Sequence, residues 1–592
     1  MKALILAGGR GKRLDELTEE KNKSMLEIFE KTLIEYNLDH AVEAGVSEMI
    51  IVVGYKKEDI MNFIGEEYRG IKVSYSVQEE QRGLVHAIEC AKEQIGKSDF
   101  ILMLADEIVV KAKVKEMIKK FKQENLFAIC GVVIEKDKSS ISKTYSSIGN
   151  KDGQIFRLIE KPRFPLNEFK GTGHCVFKNE ILEQISRTPI NAIRGEKEMV
   201  DMIQCAIDEG KKVHEFIIST KGYVNVNSKE DLILARKLIE ETNPKVLIIH
   251  TQMKYFGGAE LLIVELANWL TKRGIKNDIL ALSKSKEVER MLINTEIIIP
   301  KHNIDLNPPG FKTTGEIINF IGVYRRELRK IIKNYDVLNF HNFPVTWCLW
   351  PRKKPSVWML NEPPNLWSKP DSSFILKQMN KIRNYLDKEI IGSSMNVICV
   401  ADEFNKTRCK ERYKKNPWLI YYGVNYDFFS NGKKENAIKK YKLRNKFVVI
   451  QSGMITPSKN QLASVQTIKE VKEKIPEILL ILAGKPEEDY KKKIEGYIHE
   501  NNLQKSVLFT GNLGREELRD LYSASDIGLF PVGKQGGWLA PFEMLCSGNP
   551  IIVSEQLGAA SIIKDFNLGE VTSNYSKSLI NSYNQIKELK KG

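Results

Sequence analysis

Three glycines and a cluster of basic side chains crowd the start of the chain. Leu6-Ala7-Gly8-Gly9-Arg10-Gly11-Lys12-Arg13-Leu14 follows a short apolar run, and Lys23 comes soon after. Gly8, Gly9 and Gly11 let backbone N–H groups approach phosphate oxygens closely. Arg13 and Lys23 add positive charge where a phosphoryl transition state spreads negative charge. The residues therefore point to phosphate binding and phosphoryl-transfer chemistry. The spacing is not the dinucleotide fingerprint, which needs a third glycine where Leu14 stands. Nor is it a Walker loop, which ends in Gly-Lys-Ser/Thr.

Such a loop needs a strand before it and helices around it. Ala3–Leu6, 48–53, 100–104 and 127–133 are short apolar runs and predict buried strands. Residues 33–44, 84–95 and 114–121 carry apolar side chains three or four apart and predict helices. Strands alternating with helices imply a mostly parallel sheet covered on both faces. The pattern restarts at Val246-Leu247-Ile248-Ile249-His250, after Asn243-Pro244-Lys245, and again at Lys446-Phe447-Val448-Val449-Ile450. The expected fold class is α/β throughout, with domains at 1–243, 244–430 and 431–592.

Composition agrees. At roughly 100–200 residues per domain, 592 residues predict about three to five domains. No run reaches the ~18 apolar residues of a membrane span. The apolar start is broken at once by glycines and basic residues, unlike a signal peptide. The eight cysteines form no CxxC pair and read as scattered core thiols of a reducing cytoplasm. A net charge of +15 suits anionic partners without choosing among nucleotides, phosphorylated sugars, nucleic acid and lipid.

The first segment resembles the sugar-1-phosphate nucleotidylyltransferases. Their signature reads roughly LAGGxGTRL, then PKxLLPI. Here the second block is Asn22-Lys23-Ser24-Met25-Leu26-Glu27-Ile28, with Asn22 for the usual proline. Gln78 falls on the base-reading glutamine, and Gly83-Leu84 on the following turn. Leu104-Ala105-Asp106 falls on the strand-end aspartate that binds magnesium. Ile159-Glu160-Lys161-Pro162 and Gly171-Thr172-Gly173 match sugar-side segments. The resemblance implies a GT-A-like, Rossmann-like domain. Gly8, Gly9, Gly11, Gln78 and Gly83 would bind the nucleotide, and Glu160, Lys161 and Gly173 the sugar phosphate. Arg13, Lys23 and Mg²⁺ on Asp106 would drive attack of a sugar-phosphate oxygen on the α-phosphorus. The family's second metal ligand is an aspartate. Asn225, in Tyr223-Val224-Asn225-Val226-Asn227-Ser228, stands at that place, and its amide oxygen ligates Mg²⁺ without adding charge.

The rest of the chain resembles retaining GT-B glycosyltransferases of the GT4-like, group 1 family, with two Rossmann-like lobes. Gly257-Gly258-Ala259-Glu260 looks like its Gly-Gly-x-Glu loop, and Asp336–Asn342 like its strand ending in a histidine, His341. Tyr422-Gly423-Val424-Asn425 resembles its inter-lobe segment. Ser452-Gly453-Met454, followed by Lys459, resembles Gly-Arg-Leu-x-x-x-Lys-Gly with Met454 for arginine. Lys459 then aligns with the diphosphate-binding lysine. Gln535-Gly536-Gly537 leads to Glu543, which aligns with the carboxylate that holds the donor ribose. Gln535 takes the place of the family's first Glu, facing the sugar. The resemblance implies catalytic Lys459 and Glu543, donor-phosphate contacts at Gly257, Gly258, Gly453, Gly536 and Gly537, and sugar contacts at Gln535 and His341. No cofactor is implied for this half.

Together these readings give a bifunctional enzyme of glycan or glycolipid assembly. It makes a nucleotide sugar from a triphosphate and a sugar 1-phosphate, and transfers a glycosyl group from a nucleotide sugar to a glycan or lipid-linked acceptor. Two alternatives stay open: a non-catalytic nucleotide-sugar-sensing first domain, and activation of a non-sugar phosphate such as phosphocholine. Arg325-Arg326, Arg329-Lys330 and Trp350–Lys354 suggest a basic, aromatic face for peripheral contact with the inner membrane face. A solvated, lysine-rich helix face explains them equally. No recognition-helix, zinc or RNP pattern supports nucleic-acid binding.

Overall fold

The computed structural model describes residues 1–9, 14, 21–192, 194–254, 257–304, 314–350, 353–361, 374–533 and 539–589. The expectations placed on Gly11, Arg13, Gln535, Gly536 and Gly537 lie outside the described residues. The chain divides into two compact units. The first holds Met1–Pro244 and Asn268–Lys276, and the second holds Lys245–Ala267 and the chain from Asn277 onward.

The strands of the first unit are β1 (Lys2–Leu6), β2 (Met49–Val53), β3 (Glu67–Tyr68), β4 (Ile71–Val77), β5 (Phe100–Leu104), β6 (Glu107–Val109), β7 (Ala128–Ile134), β8 (Tyr145–Gly149), β9 (Ile155–Glu160), β10 (Phe169–Phe177), β11 (Val213–Ser219) and β12 (Tyr223–Asn225). Eight form one sheet in the order β11-β7-β10-β5-β1-β2-β4-β3. β1 is parallel to β2 and β5, which places its glycine loop at the C-terminal edge of three parallel strands. Period-two alternation explains why these strands are apolar on both faces. Leu4, Leu6, Ile50 and Val52 enter one core, while Ala3, Ile5, Ile51 and Val53 enter the other. The sheet is less uniformly parallel than the pattern predicts, because β10 runs antiparallel to both β5 and β7. The expected helix over 84–95 breaks at Ala91 into Leu84–Cys90 and Lys92–Ile95.

The second unit carries two sheets. In the first sheet are β13 (Val246–Ile249), β14 (Asn277–Leu280), β15 (Glu296–Ile298), β16 (Val337–His341), β17 (Ser356–Met359), β18 (Val397–Val400) and β19 (Trp418–Leu419). The second has β20 (Phe447–Ser452), β21 (Ile478–Ala483), β22 (Val507–Gly511), β23 (Ile527–Phe530), β24 (Ile551–Ser554) and β25 (Glu570–Thr572). Their orders are β15-β14-β13-β16-β17-β18-β19 and β22-β21-β20-β23-β24-β25, and the strand pairs are parallel. Each is doubly wound from its first strand. Strand order reverses between β13 and β16 and between β20 and β23, where such sheets bind ligands at their carboxyl ends.

Candidate active sites

In the first unit a cleft of about 480 Å³ opens over the C-terminal ends of β1 and β5. Every described residue expected to act in this unit lines it: Gly8, Gly9, Lys23, Gln78, Gly83, Asp106, Glu160, Lys161, Gly173 and Asn225. Their positions come from local packing.

Asn22 explains how the family's proline is replaced. It is fully buried. Its Nδ2 donates to the Tyr55 carbonyl at 2.6 Å and the Ala7 carbonyl at 3.3 Å, and its Oδ1 accepts the Ser24 N–H at 2.9 Å. The side chain thus caps the short 3₁₀ turn Lys23–Met25 and ties it to the glycine loop. Lys23, presented by that turn, donates from Nζ to Asp106 Oδ2 at 2.5 Å and to Asn227 Oδ1 at 2.9 Å. Asp106 sits on the turn after β5. Asn37 clamps that turn by donating to the carbonyls of Leu104 and Glu107, at 3.0 and 2.9 Å.

Across the cleft, Gln78 Nε2 donates to the Gly83 carbonyl at 3.1 Å. Gln81 Nε2 donates to the Gly8 carbonyl at 2.7 Å. A Cβ on Gly8 would stand 2.8 Å from Gln78 Oε1 and would displace that amide. Gly83 has φ +90°, and a Cβ there would meet Glu196 Oε2 at 2.6 Å. At the other end, Glu160 closes β9 and lies 3.5 Å from Lys161 Nζ and 3.9 Å from Arg194 Nη1. Burial pushes the Glu160 carboxyl up despite these cations. Gly173 lies in β10 where its register with β7 shifts, and its N–H donates to Glu107 Oε2 at 2.7 Å.

Sequence reasoning missed Gln81, Glu107, Asn227, Arg194 and Glu196. The first three adjoin residues already singled out. Arg194 and Glu196 come from the segment before the helix Met199–Asp208, which carries no local signal.

In the second unit, the expected residues that are described lie near the two switch points. His250 follows β13, and its Nε2 lies 3.4 Å from Glu260 Oε1, while Glu260 Oε2 accepts the Gly257 N–H at 3.1 Å. His341 ends β16 with its ring centroid 6.5 Å from that of His250. Its Nε2 is 2.5 Å from Asn339 Oδ1. Burial, with a smaller effect of His250, lowers its pKa to about 3, so the imidazole is neutral.

In the last sheet, Gly453 follows β20 with φ +125°, and its carbonyl packs against Gly484. Lys459 ends the 3₁₀ turn Pro457–Lys459. Asn460 then donates to the Pro531 carbonyl at 2.9 Å, hooking the Lys459 loop to the end of β23. Glu543 lies in the first turn of the helix Ala540–Cys546 and accepts from the Tyr522 hydroxyl at 3.2 Å. That hydroxyl is 2.5 Å from Ser452 Oγ, so Glu543 is tied back to the end of β20. Burial pushes its carboxyl up. Met454, at the place of the family's arginine, is 55% exposed. A Cβ on Gly258 would stand 3.9 Å from Leu539 Cδ1, so Gly258 lies near the residue that precedes the Glu543 helix.

Both units match families of known proteins. The family model for nucleotidyl transferases matches residues 2–242. Those for glycosyltransferase family 4 and glycosyl transferases group 1 match 256–428 and 433–591. The UTP–glucose-1-phosphate uridylyltransferase AglF of Haloferax volcanii is 35% identical over 36% of this chain and 86% of its own length.

The chain joins a nucleotidyl transferase to a group 1 glycosyltransferase.

It is therefore a transferase of both classes. A second relative of the nucleotidyl transferase part is a glucose-1-phosphate thymidylyltransferase of Streptomyces griseus, 31% identical over 41% of this chain and 68% of its own. The solved structure of Anabaena HepE with UDP and glucose covers 58% of this chain and 90% of its own, at 18% identity and a TM-score of 0.47. Among the described residues of this two-part transferase, no helix is long and apolar enough to cross a membrane.

Proposed function

We propose that the first unit condenses a nucleoside triphosphate with a hexose 1-phosphate, and that the second transfers the sugar of a nucleotide sugar to a glycan or lipid-linked acceptor. The observation that carries the first half is the single cleft that collects Gly8, Gln78, Lys23, Asp106, Glu160 and Lys161. Its two ends suit two ligands. Gly8, Gly83 and Gln78 form a close-packed end for a base and its phosphates. Glu160, Lys161 and Arg194 form a charged end for a sugar phosphate. Relatives named for glucose 1-phosphate support a hexose, and they differ in base between uridine and thymidine.

In this reading a sugar-phosphate oxygen attacks the α-phosphorus and pyrophosphate leaves. Lys23 holds positive charge beside Asp106. Glu160 accepts sugar hydroxyls, and Lys161 and Arg194 neutralise the sugar phosphate. The hard oxygen donors Asp106 and Asn225 line the same cleft and fit Mg²⁺, which binds through one or two protein ligands plus phosphate and water. Among the described residues no group of three or more metal-holding side chains occurs, so phosphates would complete the shell. When bound, Mg²⁺ spreads positive charge over the triphosphate oxygens.

In the second unit, Lys459 supports the leaving diphosphate and Glu543 holds the donor ribose. His341, neutral and buried with its Nε2 taken by Asn339, supports the end of β16 rather than reaching the sugar. Transfer proceeds with retention, and the donor is the nucleotide sugar made by the first unit. Pyrophosphate release by the full chain is measured over a matrix of UTP, dTTP, ATP, GTP and CTP against sugar 1-phosphates and phosphocholine. Release with glucose 1-phosphate and UTP or dTTP is expected. Silence across the matrix, or release with phosphocholine alone, overturns the reading.

A further inference from the structure

The loop that carries Lys459 is short of charge. From Gly453 to Asn460 the sequence reads Gly-Met-Ile-Thr-Pro-Ser-Lys-Asn, with Lys459 its sole cation and Met454 where the group 1 family has arginine. A single ammonium serves a diphosphate only from the right place, because charge-assisted contacts weaken with distance. Side-chain amides hold that place. Gln451 lies in β20, and alternation puts it on the face of Phe447 and Val449, which pack with Val465 and Ile468 of the helix Gln461–Val471. It is buried where its strand neighbours are apolar. An amide there costs stability unless both its ends are hydrogen-bonded. Its Nε2 donates to the Lys459 carbonyl at 2.7 Å, and its Oε1 accepts from Ser464 Oγ at 2.6 Å. Ser464 is itself buried, in the first turn of that helix. Gln461, also buried, braces the other half of the loop. Its Nε2 donates to the Met454 carbonyl at 2.9 Å, and its Oε1 accepts the Thr456 N–H at 3.2 Å. The Gln451 bond ends on the backbone of Lys459 itself.

We propose that Gln451 is a positioning residue for glycosyl transfer: its amide, held between Ser464 and the Lys459 carbonyl, sets the turn Pro457–Lys459 and so the direction from which the Lys459 side chain meets the donor diphosphate. The carbonyl can only accept and the hydroxyl can donate, so one orientation of the amide satisfies both. The inference rests on Lys459 as the diphosphate-binding lysine.

The test is a double-mutant cycle on the full chain: wild type, Gln451→Met, Lys459→Ala and the double variant. The readout is release of UDP from UDP-glucose, and of dTDP from dTDP-glucose, with water as acceptor. Nucleotidyl transfer exchanges triphosphate and pyrophosphate and yields no nucleoside diphosphate, so the first unit does not contribute. Methionine keeps the length of the side chain and removes both amide bonds. Gln451→Met should lower kcat about tenfold with donor KM within threefold. In the Lys459→Ala background the same substitution should change kcat less than twofold, because no ammonium is left to aim. A role in stability alone predicts equal losses in both backgrounds, and that result overturns the proposal. So does Gln451→Met within twofold of wild type while release still depends on Lys459. If Gln451→Met does not fold, Ser464→Ala decides. It frees the amide to turn, and should cost about threefold in kcat with Lys459 present and nothing without it. An equal loss in both backgrounds, or no loss in either, overturns the proposal. Full release by Lys459→Ala, or a wild type that releases neither diphosphate, overturns instead the donor reading on which the proposal rests.

Discussion

Asp106→Ala separates charge used for stability from charge used for chemistry. In the folded protein Lys23 Nζ sits 2.5 Å from Asp106 Oδ2, with side-chain exposures of 9% and 30%. Deleting one partner of a fully buried pair costs about 3–5 kcal/mol, because the other charge is left without compensation. Asp106 is partly open to water, and Lys23 keeps Asn227 Oδ1 at 2.9 Å. We therefore expect a loss of about 2–3 kcal/mol. For a unit of this size that lowers Tm by roughly 4–12 °C. Activity should fall further, by about 10²- to 10³-fold, as for removal of a group facing transition-state charge. Adding Lys23→Met removes the stranded ammonium. The double variant should recover to within about 1 kcal/mol of wild type and remain inactive. Scanning calorimetry of the full chain identifies the relevant transition as the one raised by nucleoside triphosphate. Wild-type turnover in Asp106→Ala, or a double variant less stable than the single one, refutes the reasoning.

Three further outcomes follow from the geometry. Gly8→Ala places a Cβ 2.8 Å from Gln78 Oε1. It should raise triphosphate KM about tenfold, a cost near 1.4 kcal/mol, with kcat within threefold; an unchanged KM in initial-rate assays removes Gln78 from the base site. Glu543→Ala and Lys459→Ala should each slow glycosyl transfer about ten- to hundredfold, equivalent to roughly 1.5–3 kcal/mol of lost charge-assisted contact, while pyrophosphate release is untouched. Full transfer in both variants, measured with labelled donor, places the donor elsewhere. His341 is held near pKa 3 by burial, below its unfolded value, so the unfolded chain binds the extra proton. Its stabilisation is complete above about pH 6.5 and is lost as pH falls toward 3, at up to about 1.4 kcal/mol per pH unit. His341→Asn should flatten the fall in stability between pH 7 and 5 of the second unit's urea transition; an unchanged slope contradicts the neutral buried imidazole.

Much of this protein is legible from local pattern. The buried runs of β1, β5, β13 and β20 are apolar because both sheet faces are covered, and such runs announce themselves without any partner. Gly8 and Gly83 are informative for a similar reason, since backbone approach and positive φ are demands of single positions. The reversed strand β10 left no comparable trace. An apolar strand reads the same in either direction, and only its neighbours β5 and β7 set its sense. The polar ring at the cleft was equally hidden. Asn22 reads as a mere replacement of proline until its four side-chain hydrogen bonds, to Ala7, Tyr55 and Ser24, are in place. Asn225 reads as a missing charge until the register of β6 against β12 brings Glu107 opposite it. Residue types and spacing alone determined where the buried strands form and which residues are candidates for phosphate. Which polar groups face one another, and so which carry charge, was decided by tertiary structure, because hydrogen bonding and desolvation depend on neighbours that lie more than a hundred residues apart in the chain.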